Sequence, residues 1–281
     1  MRTLTKPTQD AGDTFATCVS RVQNSAMRGN LSSLRHRVEA AAVNYEAKGL
    51  LAAWHLIAQT GAVGAVPKSE LVKTYKNRMA KPNAAGRSVY DELMVVPQRR
   101  CPLCGQRDVS TLDHYLPEAH YTLLVVLPVN LVPACKDCNF KKLNAAPSSP
   151  ETQTFHPYYD NFDDGVWLKA ELVNIDPLAV IFEPIRPQGW NTTKFARARH
   201  HFKTLDLGAL YSDHAAGEFI EIKRRLRNLY EAGGEAAVRE DLASTASSIT
   251  ERYTNSWRGA LYTSASTTDW FCDGGFEIIA D

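Results

Sequence analysis

The chain has 281 residues, of which 44% are hydrophobic and 22% are charged, and its formal net charge is +1 at pH 7. This length allows one large domain or two smaller ones, and the composition is ordinary for a globular protein. The near-zero charge excludes a uniformly basic chain, so any surface that binds nucleic acid must be a local patch.

Neither a targeting segment nor a membrane span is evident. The N-terminal stretch "MRTLTKPTQDAGDT" is polar, whereas a secretion signal has an apolar core. The most apolar stretch, "TLLVVLPVNLVPA", is broken by prolines and is shorter than the roughly 20 apolar residues that cross a bilayer. We therefore expect a cytoplasmic protein without a membrane partner.

The first third of the chain reads as a polar segment followed by helices. Residues 1–30 are rich in Thr, Ser, Asn and Gly, which predicts a flexible N-terminal segment. Residues 31–96 predict a helical region. Its helices are expected after a cap at Ser32 or Ser33, over "LLAAWHLIAQTG", after a cap at Ser69, and over Arg87–Val96.

The last half of the chain, residues 147–281, predicts a hairpin followed by helices. The runs "VWLKAELV" and "LAVIFEPI" have strand character and flank a turn at "NIDP". Residues 192–261 return to helical periodicity, which Gly233–Gly234 interrupts. Two basic runs, "KFARARHHFKT" and "KRRLRNLY", lie on these helices and are either nucleic-acid contacts or ordinary solvated faces.

Residues 97–146 differ from both flanks because they carry four of the six cysteines, in two pairs spaced C-x2-C-x30-C-x2-C. Cys101 with Cys104, and Cys135 with Cys138, can each form a tight knuckle, and Gly105 suits the positive φ of such a turn. Four thiolates make a closed tetrahedral site typical of structural zinc. Four unliganded thiols, or one redox-active pair, are the alternatives.

Zinc at this site would close the intervening segment into a loop. That loop contains "LDHYLPEAHY", in which Asp113 and His114 are adjacent, and it ends close to Asn139. Without the zinc frame, an Asp-His pair is more typical of a solvated turn than of a site.

The segments "CPLCG", "LDHYLP" and "NLVPACKDCNFKK" together resemble the zinc-stapled HNH endonucleases. The resemblance covers about 45 residues and rests on Asp113-His114, Asn130 and Asn139, with 15 residues between the first pair and Asn130 and eight between the two asparagines. It implies an α+β, mainly helical fold. A ββα-metal (HNH, His-Me finger) core with a structural zinc held by four cysteines would lie between helical regions.

The same resemblance implies roles for single residues. His114 would be the general base that activates a water, and Asp113 and Asn139 would bind a catalytic divalent cation, Mg²⁺ or Mn²⁺. Many relatives carry histidine at the position of Asn139, so we expect modest cation affinity. The amide of Asn130 would orient the His114 segment, unless it only caps a turn.

The resemblance also implies partners. Lys141 and Lys142, two lysines after the second knuckle, would hold substrate phosphates unless they are general surface charges. The substrate would be DNA, cleaved to a 3′-hydroxyl and a 5′-phosphate. The aromatic segment "FHPYYDNF" resembles the HNH subunit of Septu-type bacterial antiphage systems, in which an ABC/SMC-like ATPase is the partner.

Three other functions remain open from the sequence, one of which is a subunit that mainly assembles with a partner and cleaves only in the complex. An RNA-cleaving effector, for instance against tRNA, would use the same residues. A non-catalytic zinc module for nucleic-acid or protein binding would explain the cysteines but not the coincidence of Asp113, His114, Asn130 and Asn139.

Overall fold

The computed structural model describes residues 2–161 and 163–280, and the chain divides into two compact units, Met1–Asn161 and Phe162–Asp281. It is an α+β chain, about 54% helical, with two small antiparallel sheets of two strands each. This confirms the predicted mainly helical α+β class. Residues 147–161 belong to the first unit, although the sequence grouped them with the C-terminal region.

The first unit surrounds one short hairpin with helices. Its helices and strands are α1 (Ala11–Val19), α2 (Ser25–Ser32), α3 (Arg35–Leu50), α4 (Lys68–Lys76), α5 (Arg87–Leu93), β1 (Thr111–His114), β2 (Leu131–Ala134) and α6 (Lys136–Lys142). Single 3-10 turns lie at Trp54–Leu56, Pro97–Arg99, Thr122–Leu124, Pro128–Asn130 and Pro150–Thr152.

Residues 1–30, which the sequence predicts to be a flexible segment, form α1 and most of α2 in the structure. Asp10 caps α1 by accepting a hydrogen bond from the Asp13 amide at 2.8 Å. Phe15 and Cys18, three residues apart, face one side of α1 and are buried in the core of the unit. The polar composition of the segment masked this apolar stripe.

The helix predicted over "LLAAWHLIAQTG" is wrong. α3 ends at Leu50, and only one 3-10 turn, Trp54–Leu56, follows. Trp54 is fully buried, whereas Leu51 and Leu56 are exposed. A single tryptophan therefore anchors this stretch, and the leucines that suggested a buried helix do not enter the core.

The second unit contains the predicted hairpin and the C-terminal helices. Its helices and strands are β3 (Leu168–Val173), β4 (Ala179–Pro184), α7 (Thr192–Thr204), α8 (Leu207–Arg252), α9 (Trp257–Thr267) and α10 (Asp269–Cys272), and a 3-10 turn follows at Gly275–Ile278. β3 and β4 pair antiparallel from Leu168 opposite Pro184 to Val173 opposite Ala179, which confirms the two strands.

The predicted break in the long helix is confirmed at Gly234. This glycine interrupts α8 with φ 62° and ψ −157°, a conformation that residues with a Cβ rarely adopt. The ion pair between Arg225 and Asp241, at 3.3 Å, joins the two sides of the interruption. Within the described part of the chain, the structure contains no helix with the length and apolarity needed to span a membrane.

Candidate active site and cysteine cluster

The hairpin and the helix after it position the residues that the motif singled out. β1 and β2 pair antiparallel, so that Asp113 lies opposite Val132 and His114 opposite Leu131. α6 follows β2 directly, with Cys135 as its N-cap. The end of β1 and the inner face of α6 are therefore neighbours.

A small pocket of about 190 Å³ lies between these elements. Asp113, His114 and Asn139 all line it, together with Tyr75 from α4 and Glu118 from the segment after β1. Asp113 and His114 are buried, and Asn139 is half-buried. Three of the four catalytic residues implied by the resemblance thus share one pocket.

The hydrogen bonds of His114 define its tautomer. Its Nε2 lies 2.8 Å from the carbonyl oxygen of Val125, which can only accept, so Nε2 carries the proton and Nδ1 is the basic nitrogen. The Tyr75 ring packs edge-on against the imidazole, with centroids 4.4 Å apart. Burial lowers the pKa of His114 to about 4, although the nearby Glu118 carboxylate opposes this shift. The imidazole is consequently neutral at pH 7.

Asp113 is buried with a positively charged partner. The Nζ of Lys142 lies 3.3 Å from Oδ1 and 3.1 Å from Oδ2 of Asp113, and both side chains are almost inaccessible. Burial raises the pKa of Asp113, while the Lys142 ammonium acts in the opposite direction. The same Nζ donates to the backbone carbonyl of His114 at 2.6 Å.

The expectation that Lys142 faces nucleic acid is corrected by this arrangement. Lys142 follows Asn139 by three residues, which places both side chains on the face of α6 toward β1. Its neighbour Lys141 is half-buried. The contact of Lys141 with phosphate stays a prediction.

Asn130 does not line the pocket. Its side chain forms hydrogen bonds within the segment that connects β1 to β2. Its Oδ1 accepts from the Leu116 amide at 2.8 Å, and its Nδ2 donates to the carbonyls of Leu116 and Leu124, both at 3.1 Å. The Asn130 carbonyl also accepts from the Tyr115 amide at 2.8 Å. Because the side chain is completely buried, these bonds hold the chain directly after His114.

Replacing Asn130 by alanine should therefore destabilise the first unit by about 3 kcal/mol, since three buried backbone groups lose their partner. Chemical denaturation of the purified variant measures this change. Asn44→Ala, at an exposed position inside α3, is the control and should change the stability by less than about 0.5 kcal/mol. A similar, small change in both variants would contradict a structural role for the Asn130 amide.

Tyr75 and Glu118 are among the pocket residues that sequence reasoning did not single out. Tyr75 comes from α4, and no local pattern connects that helix with the Asp-His pair. Glu118 stands inside the quoted "LDHYLPEAHY", and its carboxylate pairs with Lys76 at 2.8 Å. The signal for Glu118 was its position four residues after His114. His120, in the same stretch, is not among the lining residues.

The four paired cysteines converge. Their sulfur atoms all lie within 4.8 Å of one another, and all four side chains are buried. A tetrahedral site with Zn–S distances of about 2.3 Å has sulfur atoms about 3.8 Å apart, so this donor set fits one zinc ion. The cluster can hold a structural metal ion, as the spacing predicted.

The local backbone of both pairs suits thiolate ligands. Gly105 has φ 69°, the positive value that its place in the first knuckle predicted. Amide N–H groups point at two sulfurs, from Arg107 to Cys104 at 3.5 Å and from Cys138 to Cys135 at 3.4 Å. The ion pair of Arg107 with Asp137, at 2.8 Å, links the two knuckles without the metal.

The aromatic segment after the motif packs inside the first unit. His156 is fully buried and stacks on Trp54 with ring centroids 5.0 Å apart. Tyr158 Oη donates to the carbonyl of Leu131 at 3.1 Å, which pins the start of β2. Phe162, the last residue of the segment, lies outside the described residues.

The basic runs of the second unit do not form one uniform surface. In "KFARARHHFKT", Arg197 and His201 are buried, so only part of the run faces solvent. In "KRRLRNLY", Arg225 pairs with Asp241 and Arg227 with Glu277. The two cysteines outside the cluster, Cys18 and Cys272, are both buried.

Comparison with known proteins finds a relative in a bacteriophage. The chain is 35% identical over 167 residues to Protein ea31 of Escherichia phage lambda, a match that covers 58% of this chain and 56% of that protein. The chain thus spans little more than half the length of the curated relative it matches, whose name states no activity. No protein-family model and no solved structure matches the chain.

Proposed function

We propose that this chain is a metal-dependent HNH endonuclease that hydrolyses phosphodiester bonds in DNA. One observation carries the proposal: Asp113, His114 and Asn139, which the motif singled out, line the same pocket. In this proposal β1, β2 and α6 are the strands and helix of a ββα-metal core, and the cysteine cluster holds structural zinc.

His114 has the properties of a general base. The Val125 carbonyl fixes the proton on Nε2 and leaves Nδ1 to take a proton from a water. The ring is neutral at pH 7, which is the form that can accept a proton, although a pKa of about 4 makes it a weaker base than a free imidazole. Packing against Tyr75 limits the rotation of the ring. The activated water would attack phosphorus, and cleavage of the bond to the 3′ oxygen would leave a 3′-hydroxyl and a 5′-phosphate.

Asp113 and Asn139 would hold the divalent cation. A carboxylate oxygen and an amide oxygen at the edge of one pocket are the ligand types that Mg²⁺ and Mn²⁺ prefer. When bound, the cation supplies a Lewis acid for the charge that develops on the phosphate and on the leaving oxygen. Asn130 supports the site indirectly, because its hydrogen bonds hold the segment that follows His114.

We further propose that the nuclease acts with an ATPase partner in bacterial antiphage defence. The proposal of an ATPase partner and a defence role rests on three sequence segments that resemble those of Septu-type HNH subunits: "LDHYLP", "NLVPACKDCNFKK" and "FHPYYDNF".

Offering the purified chain defined DNA and RNA substrates in the presence of Mg²⁺ or Mn²⁺ tests the substrate class. The same reactions should be run with and without the product of the adjacent ATPase gene, if there is one. We expect cleavage of DNA and products with 5′-phosphate ends. Cleavage of RNA alone would establish the RNA-directed alternative, and failure to cleave either by a zinc-loaded protein would favour the non-catalytic zinc module.

A further inference from the structure

We propose that Lys142 is an internal competitor for the catalytic cation, so that the resting site binds divalent metal weakly until the ammonium leaves Asp113. This inference rests on the proposed function, because it concerns the cation that Asp113 and Asn139 would hold. It assigns Lys142 a role at the metal site instead of the phosphate contact expected from the sequence.

The first step of the argument is geometric. One ammonium group lies within 3.3 Å of both oxygens of the Asp113 carboxylate, and it also donates to the His114 carbonyl at 2.6 Å. A Mg²⁺ ion that takes either Asp113 oxygen as a ligand would approach it to about 2.0–2.1 Å. The ammonium and the cation therefore contend for the same side chain.

The second step is electrostatic. The side chains of Lys142 and Asp113 are only 6% and 5% exposed, so water screens their charges poorly. The second carboxylate of the pocket, Glu118, is itself paired with Lys76. Each of these two carboxylates is thus already balanced by a lysine, which weakens the negative field that a divalent cation would meet.

The third step concerns how the ammonium can leave. Lys142 is the last residue of α6, and Leu143 after it has φ 52° and ψ −143°, a strained conformation for a residue with a Cβ. Leu143 is also largely exposed and lines the pocket. A short helix end with a strained, exposed residue next to it can rearrange with few lost contacts.

The test is a titration of zinc-loaded protein with Mn²⁺, followed by electron paramagnetic resonance, without nucleic acid. Lys142→Met keeps the length of the side chain and removes its charge, and it should bind Mn²⁺ roughly tenfold more tightly than wild type. The matched control Lys141→Met removes the adjacent lysine and should bind like wild type. Asp113→Asn identifies the binding that depends on this site.

The outcomes separate the inference from the function on which it rests. If Lys142→Met binds Mn²⁺ no more tightly than wild type, and this binding depends on Asp113, the competition is refuted while the cation site stands. If no variant shows binding that depends on Asp113, the cation site and the competition both fail.

A second measurement on wild-type protein covers the case in which Lys142→Met does not fold. A buried ammonium exchanges its protons slowly, so the Nζ of Lys142 should give a protected ¹⁵N signal in magnetic resonance spectra. Saturating Mg²⁺ should abolish that protection, whereas an unchanged signal with Mg²⁺ bound would overturn the proposal.

Discussion

Replacing His114 by alanine is expected to lower the rate of cation-dependent phosphodiester cleavage by a factor of about 10²–10⁴. Among the described residues that line the pocket, His114 is the only one with an imidazole, so the variant loses the Nδ1 that would accept the proton of the attacking water. Single-turnover rates at saturating Mn²⁺ measure the effect without a contribution from product release.

His120→Ala is the matched control, because it removes a second histidine of the same stretch that does not line the pocket. It should cleave at the wild-type rate. The zinc content and circular dichroism spectrum of His114→Ala should match those of wild type, since the cysteine cluster is formed by other residues. Equal cleavage by wild type and His114→Ala would refute the general-base assignment.

Cys135→Ser is expected to cause the largest loss of stability, with loss of both bound zinc and soluble protein. Structural zinc sites have apparent binding free energies of about 10–16 kcal/mol, comparable with the whole folding free energy of a domain. Cys135 is also the N-cap of α6, the helix that carries Asn139. Zinc analysis and thermal unfolding of the purified variant measure both effects.

Cys272→Ser is the control that tests whether replacing any buried cysteine lowers zinc content and stability as much as Cys135→Ser does. The Cys272 sulfur donates to the Ala265 carbonyl at 3.3 Å, a hydrogen bond that a serine hydroxyl can replace. This control should keep its full zinc content and most of its stability. A Cys135→Ser protein that stays soluble and fully zinc-loaded would argue against a four-cysteine site.

The convergence of the cysteines could be predicted from sequence because local chemistry determines it. Two C-x2-C pairs form knuckles wherever the backbone permits, and Gly105 supplies the required positive φ. The neighbourhood of Asp113, His114 and Asn139 followed from the closed loop between those pairs. The residues that complete the pocket did not follow, because the approach of Tyr75 depends on how α4 packs.

Lys142 illustrates a different limit of prediction from the sequence. Its sequence context, two lysines after a knuckle, is the same for a phosphate contact and for a buried ion pair. The orientation of α6 relative to β1 decides between a phosphate contact and a buried ion pair. In the structure this orientation places the Lys142 ammonium beside the Asp113 carboxylate. The sequence therefore indicated a phosphate contact for Lys142, whereas the structure pairs its ammonium with the Asp113 carboxylate.

The errors in the fold arose where composition and burial disagree. The first thirty residues look polar, yet the apolar stripe of α1 is buried in the core. The stretch "LLAAWHLIAQTG" looks apolar, yet its leucines are exposed and Trp54 is enclosed by aromatic residues distant in the sequence. The buried stripe of α1 can be detected from the helical periodicity of the sequence. The exposure of the leucines in "LLAAWHLIAQTG" depends on packing between residues that are distant in the sequence.

The dependence of cleavage on added cation tests the central claim most directly. Zinc-loaded wild-type protein should be inactive without added cation, and its rate on labelled nucleic acid should rise with Mn²⁺ to a plateau that fits one site. The Asp113→Asn protein, equally zinc-loaded, should not reach that plateau. A wild-type protein that cleaves equally well without added cation, or that stays inactive on DNA and RNA with Mn²⁺ bound, would contradict the account.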